Sequence, residues 1–151
     1  MGAGRMTTRC DKGRRAHRRR SLGLAVAGAG MLGAAVCFAG PAHIVKVEVV
    51  SESSSRYTVH TTIRHADTGW DHYADAWRVL TVDGRELGKR VLFHPHVNEQ
   101  PFTRSLSGVK VPEGVDTIVI EAHDKVHGAN SDRVTVDLTR SKGERYVVKR
   151  R

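Results

Sequence analysis

Apolar side chains recur at every second position in short runs from residue 43 onward, and no run keeps helical spacing over a dozen residues. In residues 56–64, for example, Tyr57, Val59 and Ile63 alternate with more polar neighbours. This period of two is typical of strands that bury one face. It predicts seven strands, at residues 44–50, 56–64, 73–82, 85–93, 102–111, 115–122 and 133–138.

Turn sequences separate several of these strands. Asp83 and Gly84 tolerate the positive φ angles of a two-residue hairpin, and a Pro-Glu-Gly sequence at 112–114 ends another run. Seven short strands, with Trp77 as the buried-tryptophan candidate on the third, predict an all-β protein. The expected fold is a seven-stranded antiparallel β-sandwich of the immunoglobulin or fibronectin III type after an N-terminal signal segment. A small barrel is the alternative.

The chain has 151 residues, enough for one such domain. We expect the sandwich to occupy residues 43–140 and an export signal to occupy residues 1–42. The basic C-terminal tail, residues 141–151, either adds an edge strand or frays.

The first 20 residues are basic and residues 22–39 are uncharged, which is the pattern of an export signal. Small residues place the expected cleavage between Ala39 and His43. An uncleaved membrane anchor is the less favoured interpretation, because 4 Gly and 6 Ala make the 18-residue segment weakly hydrophobic. Arginine pairs before this segment resemble a twin-arginine signal, and ordinary secretion is comparably supported. A lipoprotein box ending at Cys37 fits less well, since Val36 precedes the cysteine.

The leader also explains the overall charge of the chain. The net charge is +9, of which +7 falls in the first 39 residues, so the remaining domain is nearly neutral. It lacks the basic stripe that phosphate neutralisation requires, and we therefore expect no nucleic-acid partner. Membrane contact is expected only through the export signal, and a protein partner is unknown. Both cysteines, Cys10 and Cys37, lie in the leader, so we expect a mature domain without disulfides.

Histidines are concentrated in three of the predicted loops. Successive loops of an antiparallel sandwich alternate between its two ends, and the loops 65–72, 94–101 and 123–131 fall at the same end by this count. Together they carry six of the eight histidines that follow the leader. Loops at one end of a rigid sandwich are a usual place for a binding site, so we expect the site here.

The six histidines make a transition-metal site the favoured function. His94 and His96 stand at i and i+2, and in extended backbone their rings point the same way. Imidazole ligands in an exported domain without cysteine suit Cu or Zn as the bound ion. The candidate metal ligands are His65, His72, His94, His96, His123 and His127; the candidate supporting or ligand-contacting residues are Asp67, Trp70, Asp71, Glu99 and Asp124.

Other interpretations remain open. The same loop side chains could form a purely structural network that satisfies backbone groups, or a surface for a protein partner. Trp70 could be either a packing lid or a stacking face. A calcium site at Asp67, Asp71 and Asp75 is disfavoured because the dense acidic pattern and the required glycine are missing. We expect no enzyme, since the sequence has no nucleophile elbow, phosphate loop or His-Glu-x-x-His motif.

Three sequence motifs occupy these same loops. They are His65–Trp77 (HADTGWDHYADAW), His94–Arg104 (HPHVNEQPFTR) and Glu121–Gly128 (EAHDKVHG). In these motifs the chain resembles a group of small exported bacterial proteins of unassigned function. The resemblance covers most of the mature domain. It implies a small secreted domain, expected in the periplasm, and it brings no activity to individual residues.

Overall fold

The computed structural model describes residues 40–150, and within that range the protein is all-β with no helix. Nine strands follow one another along the described chain. They are β1 (His43–Ser53), β2 (Arg56–Arg64), β3 (Ala74–Thr81), β4 (Glu86–Val91), β5 (Phe102–Lys110), β6 (Thr117–Asp124), β7 (Gly128–Ala129), β8 (Val134–Asp137) and β9 (Tyr146–Lys149).

The prediction of an all-β domain is confirmed, whereas the predicted count of seven strands is too low. The two further strands are β7 and β9. A two-residue strand is too short to show an alternating pattern, and the tail has only a few apolar residues. The tail contributes β9 as an edge strand beside β1.

The strands form two sheets. One sheet has the order β5-β2-β1-β9, and the other has the order β4-β3-β6-β7 with β8 also paired to β6. The predicted antiparallel pairing holds for the other described strand pairs, but β9 runs parallel to β1, with Val47 opposite Tyr146 and Val50 opposite Lys149. This arrangement is consistent with a β-sandwich.

The core consists of the alternating apolar residues of both sheets. Trp77 on β3 is fully buried, as expected, and it belongs to one cluster with Val49, Val59, Ile118 and Ile120. Burial of this apolar surface is the main favourable contribution to folding in a domain without disulfides.

The alternation along β6 places adjacent residues on opposite faces of the second sheet. Ala122 and Asp124 are fully buried on the inner face, whereas Glu121 and His123 belong to the outer face. The pairing of β3 with β6 shifts register between Ala74 and Ala76. Such a bulge re-aims a side chain, and here the carboxylate of Asp75 is aimed at His123.

The predicted export signal, residues 1–42, lies almost entirely outside the described residues, which begin at Gly40. Between residues 40 and 150, no helix has the length and apolar character needed to cross a membrane.

Candidate metal centre

Two connections between strands, β2–β3 and β6–β7, bring four side chains together at one end of the molecule. His65 directly follows β2, His72 lies just before β3, Asp124 ends β6 and His127 lies in the turn to β7. One nitrogen or carboxylate oxygen from each side chain lies within 4.8 Å of the others. This cluster could hold a metal ion, and we call it the His65 cluster.

Backbone amides fix the orientation of Asp124. Its Oδ1 accepts hydrogen bonds from the N–H groups of Val126 (2.9 Å) and His127 (2.8 Å), and Oδ2 accepts one from Ala42 N–H (3.3 Å). Burial raises the pKa of Asp124, but these hydrogen bonds outweigh it and hold the pKa below its ordinary value. The cluster therefore contains an ionised, immobilised carboxylate.

A second buried carboxylate orients His65. The Nδ1 atom of His65 lies 2.5 Å from Oδ1 of Asp67, and neither side chain is exposed. Asp67 also accepts backbone hydrogen bonds from Ala74 (3.1 Å) and His96 (2.5 Å). With its proton on Nδ1, His65 keeps a lone pair on Nε2. That Nε2 atom is buried and has no hydrogen-bond partner in the described part of the chain.

The remaining two imidazoles lie beside Asp124. Oδ1 of Asp124 is 3.0 Å from His127 Nδ1 and 3.4 Å from His72 Nε2. The His72 ring lies between the other two, with centroids 4.9 Å from His65 and 5.0 Å from His127. His72 Nε2 is another buried nitrogen without a hydrogen bond among residues 40–150. His127 is exposed, so the cluster opens to solvent on its side.

Two predicted ligands, His94 and His96, lie side by side but outside the His65 cluster. Their ring centroids are 4.6 Å apart. His96 is buried and stacks on Phe102 at 3.8 Å, whereas His94 is exposed. Burial lowers the pKa of His96. Its Nδ1 is 3.9 Å from Oδ2 of Asp67, so Asp67 stands between the two groups of histidines.

The other predicted ligand, His123, lies on the outer face of the second sheet. Its Nδ1 is 2.5 Å from Oδ1 of Asp75, away from the inner-face position of Asp124. Sequence reasoning missed this pair, although strand alternation could have separated His123 from its neighbour. The bulge that brings Asp75 to His123 leaves no mark in the sequence pattern.

The other predicted contact residues are at the surface of the same loops. Trp70 is 64% exposed and meets Tyr73 edge to face, with ring centroids 6.0 Å apart. Glu99 pairs with Arg104 at 3.2 Å, and Asp71 is exposed. These side chains lie outside the His65 cluster.

The donor set of the His65 cluster can coordinate a divalent transition metal. Three imidazole nitrogens and one carboxylate oxygen are ligands that Zn²⁺ takes in tetrahedral sites, at about 2.0–2.2 Å each. Donors at the corners of such a tetrahedron are about 3.3 Å apart, by the geometry of those bond lengths. The contacts of Asp124 with His72 and His127 are already near this separation, whereas the four donors together lie within 4.8 Å of one another, so metal binding would draw the cluster closer.

Comparison with known proteins gives one informative match. The chain is 40% identical over 96 residues to a protein of Halomicrobium mukohataei named "Putative lipoprotein". The match covers 64% of this chain and 47% of that relative, so the chain spans about half the length of the curated relative it matches. No family model matches the chain. No solved structure matches it either.

Proposed function

We propose that this protein is an exported β-sandwich that binds one divalent transition-metal ion, Zn²⁺ or Cu²⁺, through His65, His72, Asp124 and His127. The observation that carries the proposal is the buried Nε2 atom of His65, which has no hydrogen-bond partner among residues 40–150 and belongs to a side chain that clusters with three other potential ligands. A buried polar group without a partner costs about 1–3 kcal/mol, and a metal ion would remove that penalty.

The arrangement around His65 supports this proposal further. Metal-bound histidines usually donate their second ring N–H to a carboxylate or carbonyl, which fixes the tautomer and makes the ligand more basic. Asp67 stands in that position behind His65. We therefore assign Asp67 as the residue that supports His65 and Asp124 as a direct ligand.

The alternative function is a structural loop network or partner surface without metal. The hydrogen bonds of Asp67 and Asp124 to backbone amides favour it, because they already satisfy loop groups. It leaves the buried nitrogens of His65 and His72 unexplained. The metal site accounts for both nitrogens, and we prefer it for this reason.

We further propose that the protein is not an enzyme. Four protein ligands fill a tetrahedral shell, and catalytic zinc sites keep one position for water or substrate. A closed site of this kind suits metal storage, sensing of metal supply or stabilisation of the loops.

Export and fold type are part of the same proposal. The basic leader followed by a weakly hydrophobic segment supports export, and so does the lipoprotein name of the relative. The name of the relative also supports export as a lipoprotein, with the lipid attached at Cys37. The strand order supports an immunoglobulin or fibronectin III type of sandwich, because β1, β2 and β5 share one sheet and β3, β6 and β8 share the other.

Metal analysis of the full chain, purified without a histidine tag, tests the metal proposal. We expect each chain to bind one ion of Zn²⁺ or of Cu²⁺. Either metal should raise the melting temperature, since a ligand that prefers the native state stabilises it. Co²⁺ offers a spectroscopic probe of four-coordinate geometry. Absence of bound metal together with an unchanged melting temperature at neutral pH would overturn the proposal.

A further inference from the structure

The outer face of the second sheet carries a fully buried charge that the metal site does not use. Glu121 on β6 is 0% exposed, although it lies on the face opposite the core. Arg78 donates to its Oε1 through Nε at 3.0 Å and also through Nη2, and Arg133 lies 2.5 Å from its Oε2. Removing such an ion pair from water carries a desolvation penalty, so a buried ion pair is weak evidence for a stabilising role. We therefore look for another function of these charged side chains.

A small cavity lies directly beside this ion pair. It has a volume of about 230 Å³ and is lined by Ala76, Arg78, Lys89, His123 and Ala129. The two alanines are the uncharged part of this lining. The other three lining side chains all carry nitrogen, and none of the lining residues carries a carboxylate.

Three neighbouring strands supply these nitrogen-bearing side chains. Arg78 on β3 lies directly opposite Lys89 on β4 and opposite Glu121 on β6. His123 lies two residues further along β6 on the same face, opposite Ala76 and Ala129. The register therefore brings the three groups to one place on the sheet, and strands position such groups more firmly than loops do.

Each of the three side chains has a nitrogen available for a ligand. Glu121 holds Arg78 through Nε and Nη2. Nη1 forms a longer ion pair with Glu86 at 3.7 Å, and its second N–H is left for a ligand. Asp75 holds His123 through Nδ1, which leaves Nε2 to accept from the O–H of a phosphate monoanion or, in the imidazolium form, to donate to a phosphate oxygen. Lys89 is exposed and has no ion-pair partner within residues 40–150. Glu121 and Asp75 thus act as supports that fix the two ligand-facing groups before a ligand arrives.

We propose that this cavity, which we call the Arg78 pocket, binds a phosphate group. A guanidinium, an ammonium and an imidazole from three strands match the several oxygens of a tetrahedral oxyanion, and Arg and Lys are the common binders of phosphate. The size of the cavity suits a single phosphate or phosphomonoester. The buried Glu121 then has a function, which is to hold Arg78 in place for the ligand.

Titration of the metal-stripped full chain with inorganic phosphate tests the proposal independently of the metal site. Binding is followed by calorimetry or by amide chemical shifts at constant ionic strength. We expect saturable binding at one site, with a dissociation constant of about 1 mM or lower. Amide shifts should be confined to β3, β4, β6 and β7 around the pocket.

Two variants locate the binding to the Arg78 pocket. Lys89→Gln removes the free ammonium and should weaken binding about tenfold or more. Ala129→Leu should abolish binding by filling the cavity. Their controls are Lys142→Gln, an exposed lysine that bridges to β9, and Thr135→Leu, an exposed position on β8 of the same sheet. Both control variants should bind phosphate as the unmodified chain does.

The phosphate could come from a free ion, a soluble monoester or a lipid headgroup. Parallel titrations with glycerol phosphate and with vesicles of an anionic phospholipid identify the source. If one of these two probes binds more tightly than inorganic phosphate and Lys89→Gln loses that binding, the result supports binding at the Arg78 pocket and identifies its ligand. The proposal is overturned if phosphate and both other probes fail to bind, or if Lys89→Gln and Ala129→Leu bind as tightly as the unmodified chain.

Discussion

The Nδ1 atom of His65 lies 2.5 Å from Oδ1 of Asp67, and both side chains are shielded from solvent. This contact fixes which nitrogen of His65 faces the other donors of the His65 cluster. The same carboxylate accepts the backbone N–H of His96, so a single residue links two of the histidine-rich loops.

Replacement of Asp67 by Asn should weaken Zn²⁺ binding by about 10- to 100-fold, because the imidazole of His65 loses the charge that makes it a better ligand. Competition titration against a chromophoric chelator measures the change. Asp71→Asn is the matched control, since Asp71 is exposed in the same loop and should bind Zn²⁺ normally. Equal affinity in the two variants would argue against the role of Asp67.

Replacement of His127 by Ala should largely remove the metal-dependent rise in melting temperature. His127 is exposed, so the variant should fold and its metal-free melting temperature should change little. His94→Ala is a direct comparison, because His94 is an exposed histidine in a neighbouring loop but lies outside the His65 cluster. If His94→Ala lost the metal response and His127→Ala kept it, the metal would belong to the His94–His96 pair instead.

The metal-free protein should lose stability on acidification partly through His96. Burial lowers the pKa of His96 in the folded protein, so the unfolded chain takes up a proton there first. The contribution of neutral His96 to the free energy of unfolding is complete above about pH 6.5. It is lost as the pH falls toward the pKa of His96 in the folded protein. His96→Gln should therefore show a smaller decrease in melting temperature between pH 7.5 and pH 5.

The control for this pH experiment is His60→Gln. His60 lies on the outer face of the first sheet, where its Nδ1 is 2.7 Å from Ser105 Oγ. This variant should keep the acid sensitivity of the unmodified chain. A decrease in melting temperature that is the same in His96→Gln and His60→Gln would exclude His96 as a source of that sensitivity.

The two tryptophans should differ sharply in their effect on stability. Trp77 is fully buried among core residues of both sheets, so Trp77→Ala should lower the free energy of unfolding by about 3–5 kcal/mol. Trp70 is 64% exposed, and Trp70→Ala should change the free energy of unfolding by about 0.5 kcal/mol or less. Denaturant unfolding of both metal-free variants provides the measurement, and similar losses would contradict the assignment of Trp77 to the core.

The sequence was most informative about the strands. Alternation is a local property, so runs such as 56–64 could be recognised without knowing their partners. The parallel pairing of β9 with β1 joins segments that are about 100 residues apart in the chain, and no local pattern encodes it. The two residues of β7 are likewise placed by pairing with β6 and not by their own sequence.

For the candidate site, the count of strands identified the loops but not the donor atoms. His65, His72 and His127 were among the predicted ligands, and Asp124 was expected to be a supporting or contact residue. The choice between His123 and Asp124 depends on which face of β6 each one occupies. That choice is fixed by register with β3, where a bulge intervenes, and it becomes visible only in three dimensions.

The backbone of Ala42 is held at both of its polar groups, since its N–H donates to Asp124 and its carbonyl accepts from Asn130 at 2.6 Å. The junction between the expected leader and the domain is therefore a structural neighbour of the proposed coordination sphere. Trimming the chain beyond this junction would free one oxygen of Asp124 and loosen the turn behind it. Recombinant versions should for that reason start no later than Gly40. In a shorter version, a low affinity for metal would be caused by the truncation and would not describe the intact protein.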